Sequence, residues 1–208
     1  LATKALSAPR KHDNKRRPTE TLTEGRSAFG FSEQSMQYPR LNAQNWAQWR
    51  EPILLLEAQI YEPSRQDTPE MLEGIICDGH GVSLAAVEGD QLAGFCLGAP
   101  LENFAHVRGP AEDPVRGSAT ALYAADTLVD AHYRGQGIGR ELKVRQIEAA
   151  RSEGFKFVCG RNRAGLAQAM WRLNTSLGAR AVHIIEKDYQ DGIEPDICIY
   201  YHMALSAP

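Results

Sequence analysis

The sequence predicts a mixed α/β layer fold, and two observations support this prediction. Apolar residues at helical spacing alternate with short apolar runs of strand length, bounded by glycine, proline and polar residues. Their order is two helices, three strands, a helix, a strand, a helix and two strands. A doubly wound fold alternates strands and helices regularly, so this order argues against it. The 208 residues, 43% apolar and 24% charged, suit one compact domain with a tail.

The N-terminal segment differs from the rest of the chain in charge and pattern. Residues 1–17 contain six basic residues and one acid, although the net charge of the whole chain is −3. To about residue 31 the segment lacks apolar periodicity, so it cannot bury enough surface to offset its ordering entropy. We therefore expect residues 1–35 to be a basic, flexible arm or linker and residues 36–208 a single domain.

Charge, hydropathy and cysteine usage argue against several classes of function. The net charge of −3 gives no overall reason to expect a nucleic acid partner. The longest apolar runs are far shorter than the roughly 20 residues that cross a bilayer, so no membrane partner is expected. The four cysteines lie far apart without a C-x-x-C pair, which favours a reduced protein of the cytoplasm.

Two helices are predicted at the start of the domain. Apolar residues from Trp46 to Ile60 recur every three or four positions, which indicates an amphipathic helix with Pro52 as a kink or restart. A second helix begins after Thr68, whose hydroxyl suits an N-cap and which is followed by a proline and a glutamate. This helix should end near Cys77, because two glycines follow shortly after it.

Three strands come next, and the first two form a hairpin. Residues 82–87 and 92–97 have strand-like composition and are joined across Gly89-Asp90. Residues 100–117 contain two prolines and indicate a loop. Residues 119–129 are mostly small and apolar, which suits a strand that is covered on both faces.

The C-terminal half continues with alternating helices and strands. A polar, glycine-rich turn leads into a predicted helix over residues 138–150, and a short buried strand over residues 155–159 follows it. Apolar residues from 166 to 177 again have helical spacing, and Gly178 stands where a left-handed C-cap belongs. The two last predicted strands, residues 181–186 and 196–203, flank a polar loop.

The main candidate for chemistry is the turn Arg134-Gly135-Gln136-Gly137-Ile138-Gly139, between a predicted strand and a predicted helix. Glycines let the backbone bend so that its N–H groups converge, and the helix start adds partial positive charge; together they form a pocket for phosphate oxygens. The turn matches neither a P-loop, which needs lysine and then serine or threonine after the second glycine, nor the G-x-G-x-x-G dinucleotide fingerprint. On these six residues alone, a tight turn without a ligand remains an open alternative.

The surroundings of this turn resemble the acyl-CoA-binding motif of the GNAT family of N-acetyltransferases. That pattern has arginine or glutamine, two residues, glycine, one residue, then glycine or alanine, after a strand that ends in valine. Arg134, Gly137 and Gly139 occupy the three defining positions after Val129. The order of elements is also similar. The resemblance implies a GNAT-like acyl-CoA N-acyltransferase fold: a central mixed sheet of six to seven strands, about four helices, and a V-shaped splay between the fourth and fifth strands.

The resemblance further implies acetyl-CoA, or another acyl-CoA, as cosubstrate. Pantetheine would add to the splayed sheet like an extra strand, and a backbone amide near Val129 would stabilise the thioester oxyanion. The backbone amides of the glycine turn would hold the pyrophosphate. The expected cofactor-binding residues are Leu128, Val129, Arg134, Gly135, Gln136, Gly137, Ile138, Gly139, Arg140 and Asn174.

Direct transfer to an amine needs a base and benefits from an acid for the leaving thiolate. Asp126 lies among apolar residues, where burial would raise the pKa of its carboxyl, and is the candidate base; a structural aspartate is the alternative. The family often places a tyrosine acid four residues before the glycine that ends the last helix, but Asn174 stands there. Tyr189 is the candidate acid, unless the thiolate leaves unassisted. No metal is expected, because the six histidines lack ligand spacing.

In the family, the first two helices and the last hairpin form the walls of the acceptor site. The candidate substrate residues are Glu57, Tyr61, Tyr123 and Asp191, and the acids of these segments would attract a cationic amine of a small molecule or peptide. A homodimer is compatible with this picture. The expected function is an N-acetyltransferase; the alternative is a non-catalytic acyl-CoA sensor or a partner-docking domain of degenerate GNAT type.

Overall fold

Within residues 35–205, the part of the chain that the structure describes, a seven-stranded mixed sheet carries four α-helices. The structure is a computed structural model, and residues 1–34 of the expected basic arm lie outside the described residues. The helices are α1 (Trp46–Ile60), α2 (Pro69–Ile76), α3 (Ile138–Ser152) and α4 (Gln168–Ser176). In their order across the sheet, the strands are β1 (Arg40–Leu41), β2 (Ser83–Glu88), β3 (Gln91–Pro100), β4 (Ala121–Val129), β5 (Phe157–Arg163), β7 (Ile197–Ala204) and β6 (Arg180–Glu186).

This architecture confirms the predicted mixed α/β fold. All neighbouring strands of the described sheet are antiparallel except β4 and β5, which run parallel. The parallel pair follows from the chain order, because α3 carries the chain from the end of β4 back to the start of β5.

The first two helices form where the sequence predicts them. Pro52 lies inside α1 without ending it. At the start of α2, the Oγ1 atom of Thr68 accepts a hydrogen bond of 3.3 Å from the backbone N–H of Met71, which confirms the predicted N-cap. The apolar period of α1 becomes its buried face, which consists of Trp46, Trp49, Ile53 and Leu56.

Several elements differ from their predicted bounds, and three differences stand out: β3 continues past residue 97 to Pro100, and β5 and α4 also change. β5 continues past Cys159 to Arg163, because pairing with β7 extends the strand through polar residues that periodicity alone does not identify. α4 begins at Gln168, so Leu166 lies in the preceding turn with 54% of its surface exposed. The short β1 strand was not predicted, since two residues carry no recognisable period.

Each face of the sheet has its own apolar core. α1 and α2 pack on one face, against side chains such as Phe95, Leu97 and Tyr200. α3 covers the other face over Leu122 and Val158, with α4 beside it. None of the helices within residues 35–205 is long and apolar enough to cross a membrane.

Candidate functional site

The parallel strands β4 and β5 pair over only part of their length. Their ladder joins Ala121–Ala124 to Phe157–Gly160 and then stops. Beyond it, β4 stays paired to β3 and β5 stays paired to β7, so the two strands diverge. Their facing backbone edges no longer bond to each other, which produces the predicted V-shaped splay and leaves N–H and C=O groups free for an added strand.

A bulge in β4 lies at the vertex of this splay. Opposite β3, Asp126 pairs with Leu97 and Ala124 pairs with Gly98, so Ala125 is an extra residue. An extra residue reverses the alternation of the side chains that follow. Asp126 consequently points to the same face as Tyr123, which is the face that α1 and α2 cover.

The glycine turn forms an open cradle at the start of α3. Gly135 and Gly137 have φ angles of +78° and +82°, in the left-handed region that favours glycine. Among residues 35–205, a Cβ atom at either position would meet nothing within 4 Å, so none of these residues fills the space above the turn. Within the described residues, no backbone N–H from Gly135 to Arg140 has a hydrogen-bond acceptor. These amides are therefore available to an anion, and they are the groups that the predicted phosphate site would use.

The two arginines of the turn differ in their contacts. The Nε atom of Arg134 donates to the backbone oxygen of Val129 at 3.1 Å, which ties the turn to the end of β4. Arg140 is exposed on the first turn of α3, and its side chain has no hydrogen bond or ion pair among residues 35–205. Arg140 is thus free to contact a phosphate, whereas Arg134 has a structural contact as well.

A cavity of about 800 Å³ runs through the splay from the α3–α4 side to the α1–α2 side. It brings together most of the predicted catalytic and substrate residues, and it adds basic residues from α3 and β5. Its wall consists of Tyr61, Arg65, Asp67, Tyr123–Thr127, Lys143, Arg161–Arg163, Ala167, Met170, Asn174, Asp188–Asp191 and Tyr201.

Asp126 lies in this wall, and its carboxylate accepts two hydrogen bonds. Its Oδ1 atom accepts from the Tyr61 hydroxyl at 3.1 Å and from the Thr127 backbone N–H at 2.6 Å. Burial is the main cause that raises the pKa of Asp126, to about 6, and the carboxylate of Asp67 adds to it. Its two hydrogen bonds act in the opposite direction. The carboxyl can therefore exchange a proton near neutral pH, as a general base must.

Glu57 lies behind this wall and does not line the cavity. It is 1% exposed, and its Oε2 atom accepts from the backbone N–H of Asp67 at 3.2 Å. Its Oε1 atom has no partner among the described residues. Burial, followed by repulsion from Asp67 and Asp126, raises the pKa of Glu57 to about 8. The structure thus places this predicted substrate residue where it supports the loop before α2.

Asn174 lies opposite, on the α4 side of the cavity. Its Nδ2 atom donates to Asn162 Oδ1 at 2.9 Å, and Asn162 in turn donates to the backbone oxygen of Ala167 at 2.9 Å. Asn174 is 1% exposed, yet its Oδ1 atom has no partner within the described part of the chain. A buried acceptor without a donor is costly, so a ligand N–H in the cavity would satisfy it.

Two arginines of β5 were missed by sequence reasoning and hold the β6–β7 loop over the cavity. Arg161 bonds to Asp188, and Arg163 forms a bidentate pair with Asp191, one contact of which is 2.8 Å. The ring of Tyr189 lies 5.5 Å from one guanidinium carbon and 4.4 Å from the other. The two arginines lie two residues apart, a spacing that places both on one face of a strand, and this spacing was the available signal.

These arginines change the charge expected at the acceptor end. The sequence predicts an acidic mouth, and the cavity does contain four aspartates. It also contains three arginines and a lysine, and two of the aspartates are paired with arginines of β5. The carboxylates left without a basic partner in the wall are Asp67 and Asp126. Attraction of a cationic amine would therefore be local to these two groups.

A separate polar cluster lies between β5, β7 and the loop after β3. The Oδ2 atom of Asp113 accepts from the Tyr200 hydroxyl and contacts the Nε2 atom of His202 at 2.5 Å. Cys159 completes a group whose potential metal-binding atoms lie within 4.8 Å of one another. The carboxylate is already used by two partners, so the cluster is accounted for as a network that fastens this loop to the sheet.

The splayed parallel pair, the cradle of free amides and the cavity between two helical layers together define the GNAT class of acetyltransferase folds. The sequence profile of the acetyltransferase (GNAT) family matches residues 42–173, and the chain belongs to this family. No curated protein matches the sequence significantly.

Solved structures share the fold at low sequence identity. The ribosomal-protein-S18-alanine N-acetyltransferase from Escherichia coli superposes with a TM-score of 0.64 at 16% identity, over 84% of this chain and 96% of that one. Ard1 from Thermoplasma volcanium gives 0.63 at 13% identity, over 82% and 98%. Arabidopsis thaliana Naa50, solved with the bisubstrate analogue CoA-Ac-MVNAL, gives 0.59 at 16% identity, over 82% and 99%.

Proposed function

We propose that the protein transfers an acyl group from acyl-CoA to an amine of a small molecule or peptide. The acyl group that we expect is acetyl. One observation carries this proposal: a cradle of free amides at Gly135–Arg140 lies at one end of an open strand edge that leads to the Asp126 carboxylate. Few other ligands combine a diphosphate with an extended amide chain and a reactive end.

The binding step uses groups that have no partner within the described chain. The amides of the glycine turn, with Arg140 beside them, would hold the pyrophosphate at the start of α3. The free edges of β4 beyond Ala124 would pair with the amides of pantetheine, and the Oδ1 atom of Asn174 would accept one of their N–H groups. Acyl-CoA supplies the acyl group as a thioester, delivered at the vertex of the splay.

The chemical step needs a base on the far side of the sheet. The β4 bulge directs Asp126 to that side, where Tyr61, Tyr123 and Asp67 line the path of the amine. Asp126 accepts a proton from the amine as the new C–N bond forms, while the protein contributes mainly by positioning the reactants. The sequence suggests Tyr189 for the acid, but burial raises the pKa of its hydroxyl and so makes it a weaker acid.

The class of amine is the open part of the proposal. One structural relative is named for the alanine of a ribosomal protein, and another was solved with a peptide joined to CoA, which supports a peptide amine. The local pair Asp67 and Asp126 supports an acceptor that arrives as an ammonium. All four cysteines are free, which agrees with a reducing compartment, and we propose the cytoplasm.

A non-catalytic acyl-CoA sensor is the second candidate. One observation favours it: Asn174 occupies the position where the family often has a tyrosine acid, and its amide is fixed to Asn162. An amide cannot protonate a leaving thiolate. Release of free thiol from acetyl-CoA in the presence of a panel of amines separates the candidates, because a sensor binds the cosubstrate and releases none.

The binding proposal is tested by replacing Gly137 with alanine. A side chain at a φ of +82° costs roughly 1–2 kcal/mol of backbone strain and projects into the cradle, so calorimetric affinity for coenzyme A should fall at least about tenfold. Gly154→Ala is the matched control, since Gly154 has a φ of +90° and open space at the other end of α3. Equal affinities of the two variants, or no binding by the native protein, would overturn the proposal.

A further inference from the structure

A lysine is buried in the wall of the candidate site. Lys143 is 2% exposed and lines the cavity from α3. Its one hydrogen bond within the described residues joins Nζ to the Oε1 atom of Gln146 at 3.2 Å. An ammonium has three N–H donors, so two of them have no acceptor in the part of the chain that the structure describes. Burial of a charge with so few partners is expensive and calls for a compensating anion.

The position of Lys143 along α3 places it at the vertex of the splay. Four residues before it, Gly139 lies against Val129, and four residues after it, Ile147 belongs to the same apolar cluster as Leu122 and Ala124. Gly139 and Ile147 are each about one helical turn from Lys143. Lys143 therefore lies level with the middle of the β4 segment between Leu122 and Val129. The parallel ladder ends there, which is the point where a thioester held in the splay would pass through the sheet.

The charges around Lys143 give it the character of a proton donor. The titratable groups whose charges act on Lys143 are Cys96 on β3, which is fully buried, and Asp126 on β4. Burial lowers the pKa of Lys143, and the two neighbours oppose this only in part. A lowered pKa makes the ammonium a better acid, because less free energy is needed to release its proton.

We propose that Lys143 is the acid of the acyl transfer and protonates the sulfur of coenzyme A as that sulfur leaves. This inference rests on the proposed function. The bond between the amine nitrogen and the acyl carbon forms, and the carbon–sulfur bond breaks. The acceptor first loses its ammonium proton to solvent; the neutral amine then gives a second proton to Asp126, and the Lys143 ammonium gives one to the thiolate. A proton returns from Asp126 to Lys143 through solvent, so the products are the amide and free coenzyme A thiol.

A lysine acid would replace the tyrosine acid that the family often has at the position of Asn174. The amide of Asn174 is fixed by Asn162 and cannot donate a proton to sulfur. The Tyr189 hydroxyl belongs to the β6–β7 loop on the acceptor side, where its ring lies between two arginines. Lys143 approaches from α3, the same side as the cradle for the pyrophosphate. The acid and the base would thus act from opposite faces of the sheet.

The test needs no acceptor, because the free product contains the relevant sulfur. Coenzyme A is bound to the full chain, and its thiolate is titrated by ultraviolet absorbance in the native protein and in Lys143→Met. A nearby cation stabilises a thiolate, so the pKa of the bound thiol should lie about one unit lower in the native protein, a tenfold difference in acidity. Lys156→Met, an exposed lysine at the start of β5, is the control and should match the native protein.

The outcomes separate this inference from the function on which it rests. If coenzyme A does not bind to the native protein, the proposed function fails. If it binds equally to the native protein and to Lys143→Met, with the same thiol pKa, the role of Lys143 is wrong while the function stands. Lys143→Gln replaces the methionine variant if that variant does not fold. If the thiol-release panel identifies an amine acceptor, the Lys143 variant must also lose the native rate of transfer to that amine while its affinity for coenzyme A stays unchanged.

Discussion

At the scale of single residues, Asp126 owes its chemistry to the extra residue in β4. Without the bulge at Ala125, its carboxylate would point toward α3 and the pantetheine side of the splay. With the bulge, it meets Tyr61 and the repulsion of Asp67, in a half-buried position. Its pKa of about 6 is then a consequence of burial that the hydrogen bonds only moderate.

Asp126→Asn tests the proposed base. The amide keeps the shape of the side chain but cannot accept a proton, so kcat should fall by about 10²–10⁴-fold while the Kd for coenzyme A stays the same. In the native protein the rate should rise with pH through about 6, because the base acts in its deprotonated form. In Asp126→Asn, this rise of the rate with pH should be lost. Asp90→Asn, in the exposed turn between β2 and β3, is the control, and a native rate in Asp126→Asn would make Asp126 a structural residue.

Some site residues could be found from the sequence and others could not, for identifiable reasons. The glycine turn and Asp126 belong to contiguous motifs, so their places followed from local spelling. Lys143 shares a helix face with Gly139 and Ile147, and a lysine on that apolar face was a readable signal. The pairing of Arg161 with Asp188 joins residues 27 positions apart, and no local pattern predicts such a partner.

At the scale of elements, the β6–β7 loop depends on β5 for its position. Arg163 is bonded to Asp191 and to the backbone oxygen of Ile193, and its side chain is 3% exposed. Asp196 holds the same loop from its other end, by accepting from the backbone N–H groups of Tyr189 at 2.8 Å and Gln190 at 2.9 Å. The loop is thus a wall of the cavity whose anchors include Arg163 and Arg161 of β5 and Asp196 at its own base.

Arg163→Met removes the first anchor. We expect amide hydrogen exchange of residues 187–195 to become at least about tenfold faster, because loops with few remaining contacts open locally. The KM for an acceptor amine should rise, while the affinity for coenzyme A should not change, since the cradle lies at the other end of the splay. Arg172→Met, exposed on α4, serves as the control. Unchanged exchange in Arg163→Met would show that the remaining contacts of Arg161 and Asp196 are enough to hold the loop.

At the scale of the whole molecule, the sheet lets one fold keep two chemical environments apart. Phosphates and a cationic acid would lie on the α3 side, and the carboxylates lie on the α1–α2 side. The element order predicted this layering correctly, because strand and helix periods are local properties. The cost of placing Glu57, Asp67 and Asp126 near one another could not be predicted, since they come from separate elements. Burial raises the pKa of all three carboxyls, so ionising them lowers the stability of the folded chain.

The pH dependence of unfolding measures this cost. A carboxyl whose pKa is raised by folding binds its proton more tightly in the folded than in the unfolded chain. The free energy of unfolding should therefore fall as pH rises from about 4.5 to about 8, which are the pKa values of Glu57 in the unfolded and the folded chain. Glu57→Gln removes the ionising group, and the variant should gain about 1–3 kcal/mol over the native protein at pH 8, with little gain at pH 5. Urea unfolding followed by the fluorescence of the buried Trp46 and Trp49 reports the difference. Glu51→Gln, exposed on the same helix, should show no such pH-dependent gain, and an equal response of the two variants would mean that Glu57 ionises as it does in water.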